Sequence, residues 1–334
     1  IEIMNDEKPF KIGVIDIPKF YNDFEGQRNG EGNSKSTTKD VRRILDSLKT
    51  SNIDGVIIDL REDGGGSLQE AIELTGLFIK DGPVVQVKNS DGNVEIANDP
   101  DPGIVYDGPL AVLVNRFSAS ASEIFAGAIQ DYQRGLIIGE QTFGKGTVQN
   151  LIDLNRLSSK KDKNLGQVKL TIAKYYRING GSTQNLGVVP DISFPAMIDA
   201  KDFGESAEPN ALPWDEIKSA NFNKFSDLKK FIPVLNEKHL MRIALNKDFK
   251  YLIEDIKIYN ENKKKTFISL KENVRKLEKE KEEQRKFERE GKLQEDIGTE
   301  LLEDEIPITK SDKKDYILEE TAKVLSDLIL LTIG

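Results

Sequence analysis

The chain has 334 residues, 37% of them hydrophobic and 31% charged, so it is long enough for about two domains with full cores. A formal net charge of −9 gives no support for binding the phosphates of nucleic acid. There is no cysteine and one histidine, His239, which excludes disulfides, cysteine nucleophiles, thiolate metal sites and a histidine-rich metal centre.

Short apolar runs alternate with helical patterns over the first 140 residues. The expected strands are residues 10–17, 55–60, 110–115 and 136–139. The expected helices are residues 38–50, 68–80 and 119–133. This alternation predicts an α/β core with parallel strands, and residues 84–89 and 94–97 add a hairpin.

The sequence becomes β-patterned from Thr147 to Ile172 and changes character after about Pro195. Residues 22–37 and 158–164 read as loops, and residues 199–213 as a linker. The predicted fold is a mixed sheet core with flanking helices and additional β-strands, followed by a mostly helical C-terminal domain. We expect the two domains to be residues 1–198 and 199–334.

Two features are predicted within the helical part of the chain. Residues 271–294 are dominated by Lys, Arg and Glu, which favours a solvated helix with i,i+4 ion pairs over a coiled coil. The last helix, residues 316–331, has the apolar spacing of a helix that packs against a core.

Ser120 lies in a turn of small residues between a predicted strand and a predicted helix. This arrangement presents a serine hydroxyl at the edge of a sheet, and the N–H of Ala121 at the helix start would point at a developing oxyanion. Ser120 and Glu123 also have the spacing of a capping box, so an ordinary helix N-cap remains an alternative.

A serine nucleophile needs a base, and His239 lies in a charged helical run typical of a surface or packing residue. A lysine base must be neutral, which requires its pKa to fall from about 10.4 towards 7. Lys145, between two glycines and after Phe143, is the best candidate because burial there lowers the pKa of an amine.

Lys145 has a second interpretation. The residues from Gly139 to Lys145 match the first part of a phosphate-binding P-loop, GxxxxGK. Gly146 stands where Ser or Thr would hold Mg²⁺, and the β-patterned sequence that follows does not supply a phosphate-binding helix. Both features count against a nucleotide site.

The stretch Gly64-Gly65-Gly66 joins a predicted strand to a helix. Three glycines allow a backbone to approach a ligand closely and to expose its N–H groups. The alternative is a tight turn in which Ser67 is the N-cap of the next helix and Glu70 completes a capping box.

Several motifs together strongly resemble the C-terminal processing peptidases, and among them the tail-specific proteases of the bacterial periplasm. The resemblance extends over nearly the whole chain. Its motifs are residues 115–123, 131–132, 139–149, 59–61 with 64–68, 176–184, 187–192 and 210–215.

The resemblance implies that Ser120 is the nucleophile and Lys145 the general base, which later returns its proton to the leaving amine. Gln149 would orient the lysine, and Asp131 would support the site through structure rather than proton transfer. The oxyanion donors would be the N–H of Ala121 and one of the glycine N–H groups, with Gly65 and Gly66 as candidates.

The activity implied by the resemblance is a serine endopeptidase that selects proteins by their apolar C-terminal tails. It implies no cofactor and no metal, a periplasmic location, protein or peptide substrates and an adaptor protein as a further partner. Membrane association would come only through parts outside this chain. No stretch resembles the PDZ domain of the family, so an inactive scaffold that binds an adaptor or substrate is the second hypothesis.

Overall fold

The computed structural model describes residues 1–5, 8–23, 26, 34–157, 165–297 and 315–333. The predicted loop 158–164 and most of the predicted loop 22–37 lie outside these residues. The strands are β1 Glu2–Asn5, β2 Lys8–Asp16, β3 Gly55–Asp59, β4 Pro83–Asn89, β5 Val94–Asn98, β6 Leu110–Val114, β7 Leu136–Gly139, β8 Thr147–Asp153, β9 Gln167–Tyr176 and β10 Ile192–Ser193. The helices are α1 Thr37–Thr50, α2 Leu68–Gly76, α3 Ala121–Asp131, α4 Ile232–Leu245, α5 Lys247–Lys263, α6 Glu272–Ile297 and α7 Tyr316–Ile333.

The larger sheet has six strands in the order β1-β2-β3-β6-β7-β10. Its central strands are parallel, and only β1 pairs antiparallel, with β2. Every residue of β3 and β6 is buried, as expected for strands covered on both faces. Along β3, Ile58 joins the core on one face and Ile57 the core on the other, because successive side chains point to opposite faces.

Helices cover both faces of this sheet. The first core includes side chains of α1, α2 and α3. The second core contains Leu235 of α4 and Leu325 of α7. The predicted α/β core with a mixed sheet and flanking helices is therefore confirmed.

The last helix packs against the sheet, as predicted from its apolar spacing. α7 lies against β1, β3, β6 and β7, and Leu325 is fully buried. The chain forms two compact units, Ile1–Leu252 with Tyr316–Gly334, and Ile253–Asp315. The expected boundary at residue 198 falls inside the first unit, so the division into a protease core and a helical domain stays a prediction.

The smaller sheet has four antiparallel strands in the order β5-β4-β9-β8. It contains the predicted hairpin of β4 and β5 and a second, longer hairpin of β8 and β9. Tyr175 of β9 is buried in the first core, whereas Leu151 at the middle of β8 is 66% exposed. The β8–β9 hairpin therefore projects from the core.

The second unit contains the charged helix α6. Lys276 pairs with Glu272 at 2.8 Å, and Lys279 pairs with Glu283 at 3.4 Å, both one helical turn apart. All four side chains are mostly exposed, so the predicted solvated helix with i,i+4 ion pairs is confirmed.

Candidate active site

The Ser120 turn connects β6 to α3 and has an unusual backbone. Ser120 has φ 58° and ψ −111°, a region that residues other than glycine rarely occupy. The neighbouring loop holds this turn, because Asp63 O accepts bonds from Ala119 N–H at 3.0 Å and from Ser122 Oγ at 2.9 Å. A strained residue persists only where its surroundings determine its conformation, and such residues concentrate at functional sites.

Glu123 links the turn of Ser120 to the loop of Lys145. One carboxylate oxygen accepts from the backbone N–H of Ser120 at 2.8 Å and of Lys145 at 3.0 Å. The other accepts from Thr142 Oγ1 at 2.6 Å and from Gly144 N–H at 2.7 Å. The side chain is fully buried, and burial raises its pKa to about 7 against the hydrogen bonds that favour the carboxylate.

Lys145 follows Gly144, a position at which the surroundings admit only glycine. Gly144 has φ 95°, and a Cβ there would lie 2.9 Å from the backbone carbon of Asn185. Lys145 itself is half-buried, and burial followed by the nearby charge of Lys169 lowers the pKa of its amine. Both effects favour the neutral amine that a general base requires.

The P-loop interpretation of Lys145 is wrong. The chain enters strand β8 at Thr147, two residues after the lysine, instead of a helix. A P-loop lysine begins a helix whose N-terminal N–H groups bind phosphate, and that feature is missing here.

Tyr175 contacts the main chain of both candidate residues, which no sequence pattern indicated. Its hydroxyl donates to the carbonyl oxygen of Lys145 and lies 3.3 Å from the carbonyl oxygen of Ser120. The side chain comes from β9 and is 1% exposed. Together with Glu123 it brings the main chains of Ser120 and Lys145 close to each other.

The glycine turn lies directly against the serine. A Cβ on Gly65 would lie 2.9 Å from both Ala121 N and Ser120 Cβ, so only glycine fits there. The Gly65 N–H donates to Asp63 Oδ1 at 2.8 Å, and Gly66 pairs with Phe20 through a parallel bridge. The oxyanion roles of Gly65, Gly66 and Ala121 stay predictions.

Asp63 is fully buried beneath this turn. Its Oδ1 accepts the Gly65 N–H, whereas its Oδ2 is buried without a hydrogen-bond partner among the described residues. Burial raises the pKa of Asp63 to about 7. No sequence pattern indicated this carboxyl beyond its place before the three glycines.

Gln149 and Asp131 occupy different surroundings. Gln149 is exposed on β8, and its Nε2 lies 3.4 Å from Thr171 Oγ1. Asp131 ends α3, and its buried carboxylate accepts from Arg177 and, at 2.8 Å, from Asn179 Nδ2. The supporting role of Asp131 and the orienting role of Gln149 both stay predictions.

The single histidine belongs to the second core. His239 is fully buried, stacks on Phe194 with ring centroids 4.7 Å apart, and places Nδ1 2.9 Å from Glu320 Oε1. The described residues contain no group of three or more His, Asp or Glu side chains that could hold a metal ion. In the same part of the chain, no helix is long and apolar enough to cross a membrane.

The chain belongs to peptidase family S41, whose model matches residues 11–194. A second model, the C-terminal domain of tail specific protease, matches residues 198–330. The chain is 43% identical over 330 residues to a tail-specific protease of Haemophilus influenzae, covering 96% of this chain and 45% of the relative.

Other relatives match part of the chain. A carboxy-terminal-processing protease of Bartonella bacilliformis is 40% identical over 46% of this chain and 33% of the relative. A solved photosystem II D1 C-terminal processing protease is 30% identical, with a TM-score of 0.45, over 57% of this chain and 43% of that one. The chain thus spans less than half the length of these relatives.

Proposed function

We propose that the chain carries the catalytic site of a serine endopeptidase in which Ser120 attacks the peptide carbonyl and Lys145 acts as the base. The observation that carries the proposal is the buried Glu123 carboxylate, which binds the backbone N–H of both residues. Membership of peptidase family S41 supports hydrolysis of peptide bonds.

The proposed chemical steps use Ser120 and Lys145 in turn. Neutral Lys145 takes the proton of the Ser120 hydroxyl as its oxygen bonds to the carbonyl carbon. The resulting oxyanion lies at the start of α3, where the N–H of Ala121 and a glycine N–H of the 64–66 turn would stabilise it. The lysine then gives its proton to the leaving amine, and water hydrolyses the acyl-enzyme.

The substrates that we propose are proteins with apolar C-terminal tails, cleaved in the periplasm without a metal or other cofactor. The support is the match to the C-terminal domain of tail specific protease and the similarity to tail-specific and C-terminal processing proteases. Gln149 orients Lys145 in this proposal, and an adaptor protein is a further partner.

The test is cleavage of a fluorescent peptide with an apolar C-terminal tail by the parent chain and two variants. Ser120→Ala and Lys145→Ala should each lower kcat/KM by at least about 10³-fold, because each removes a group that acts in the transition state. EDTA should have no effect. Unchanged cleavage in Lys145→Ala would overturn the mechanism, and binding without cleavage in the parent would favour a scaffold.

A further inference from the structure

Strand β8 is a free edge of the smaller sheet that begins beside the candidate base. It is the last strand in the order β5-β4-β9-β8 and pairs only with β9 among the strands that the structure describes. Its first residue, Thr147, follows Lys145 by two positions. An unpaired edge presents N–H and C=O groups that can pair with a further extended chain.

The register shows which backbone groups face outward. Leu154 N–H donates to Gly166 O at 3.1 Å, so this position bonds toward β9. Along an antiparallel pair, residues whose backbone groups hydrogen-bond to the partner strand alternate with residues whose groups do not. The N–H and C=O of Ile152 therefore bond to β9, and those of Leu151 do not. The N–H and C=O of Leu151 therefore point away from β9, and the residue is 66% exposed.

The projecting hairpin begins next to Lys145 along the chain. Leu151 lies opposite Lys169 on β9, and the charge of Lys169 contributes to the lowered pKa of Lys145. From Lys145 to Leu151 the strand spans roughly 20 Å, which is the length of about six extended residues. A polypeptide that lies along this edge from Leu151 to Thr147 would end two residues from Lys145.

We propose that the substrate binds as an added β-strand along the free edge of β8, with the backbone of Leu151 as one of its hydrogen-bonding partners. The occupant is an extended segment of the polypeptide to be cleaved. A strand that pairs through its main-chain groups can have many different sequences and still bind in one register. This suits a peptidase that acts on different proteins. This inference rests on the proposed function, because it names how the same site holds its substrate.

The test measures binding separately from cleavage. A fluorescein-labelled peptide, Ala-Val-Ala-Leu-Ala-Ala, is titrated against the Ser120→Ala chain, and its affinity is read from fluorescence anisotropy. Adding Leu151→Pro should weaken binding by about tenfold, because the outward N–H is lost and the proline ring obstructs the edge. Leu151→Ala keeps the N–H and should weaken binding by less than about threefold.

A proline on the opposite edge of the same sheet is the matched control. Asn89 N–H donates to Asn93 O at 2.9 Å, so Ile96, three positions further along β5, also points its N–H outward. Ile96→Pro makes the same backbone change far from Lys145 along the sheet and should leave the affinity within about twofold. Circular dichroism and thermal melting check that each variant folds.

A second measurement does not depend on any protein variant. N-methylation of successive peptide amides should weaken binding at alternate positions, because only every second N–H of an added strand faces β8. Equal binding by the Leu151→Pro and Leu151→Ala chains, or equal effects of every N-methyl group, would overturn the proposal. So would sedimentation showing that the edge pairs with a second copy of the chain. Normal binding by a parent that does not cleave would instead overturn only the proposed function.

Discussion

At the scale of single residues, Glu123 has all four of its hydrogen bonds within the site. Each carboxylate oxygen accepts two: Thr142 Oγ1 donates to Glu123, because a carboxylate oxygen only accepts, and the same hydroxyl oxygen accepts the N–H of Val188 at 2.7 Å. From the sequence, Glu123 is only the acidic residue three positions after Ser120 in a capping box. Its contacts with Gly144 and Lys145 lie 21 and 22 residues away, which no local pattern specifies.

Replacing Glu123 by Gln should weaken the link between the Ser120 turn and the Lys145 loop. The amide keeps the size of the side chain but turns one doubly accepting oxygen into a donor, so two of the four bonds are lost. We expect the free energy of unfolding to fall by about 1–3 kcal/mol and kcat/KM to fall by about 10²-fold. Urea unfolding and peptide cleavage measure the two effects.

The control for this variant is Glu73→Gln. Glu73 lies on α2 and its carboxylate accepts from Gln69 Nε2 at the surface, so neither quantity should change. A Glu123→Gln chain with the parent's kcat/KM would show that the link between the two main chains is not needed for catalysis.

The proposed mechanism assigns the pH dependence of cleavage to Lys145. Burial and the charge of Lys169 lower the pKa of the amine, and in that mechanism only the neutral amine accepts a proton from Ser120. The rate should therefore rise with pH through the lowered pKa and level off above it. Lys169→Gln removes one of the two causes, so the rise should move to higher pH.

Rate against pH is compared for the parent, Lys169→Gln and the exposed control Lys218→Gln. The control should keep the parent's profile, since Lys218 is not among the charges that act on Lys145. A profile in Lys169→Gln that stays in place or moves to lower pH would contradict this account of the base.

At the scale of elements, sequence patterns predicted most strands and helices of the core, but neither β1 nor β10 and not every helix end. The helix expected over 68–80 ends at Gly76. Phe78 and Ile79 are buried, so they continue the apolar pattern although the chain has already left the helix. Apolar residues buried in a turn and apolar residues buried in a helix produce the same sequence spacing, so spacing alone cannot tell them apart.

The predicted cap of α2 shows a similar limit. Ser67 does cap the helix, accepting the N–H of Glu70 at 3.3 Å. The carboxylate of Glu70 binds Ser36 Oγ at 2.9 Å and Thr38 N–H at 2.8 Å at the start of α1. The capping-box pattern predicted that the Glu70 carboxylate would bond within its own helix. In the structure this carboxylate joins α2 to the start of α1, because tertiary contacts can replace local ones.

The placement of the candidate site was predictable in part. Small residues at Ser120 and glycines beside Lys145 indicated both turns, since these residue types tolerate the required backbone. That the two turns meet depends on β6 and β7 being neighbours in the sheet and on Tyr175 from β9. Strand order is a property of the whole fold, so spacing along the chain could not give it.

At the scale of the whole molecule, the sheet depends on a helix from the far end of the chain. Leu325 of α7 is fully buried, and a Cβ on Gly55 of β3 would lie 3.0 Å from its Cδ2. Leu325→Ala should lower the free energy of unfolding by about 2–5 kcal/mol, the cost of deleting a buried leucine side chain. Urea unfolding at neutral pH gives the value.

Leu245→Ala provides the comparison, because Leu245 is 79% exposed and its truncation should change stability by less than about 0.5 kcal/mol. If the two variants unfolded at the same urea concentration, α7 would not contribute to the stability of the sheet.

The position of α7 also sets an order of events during translation. Strands β3, β6 and β7, which all precede Lys145, leave the ribosome well before residues 316–333, yet one face of their sheet is not fully covered until that helix has been made. A nascent chain therefore cannot complete its core early. The sheet that leads into the Ser120 turn has both of its cores only after α7 has been synthesised.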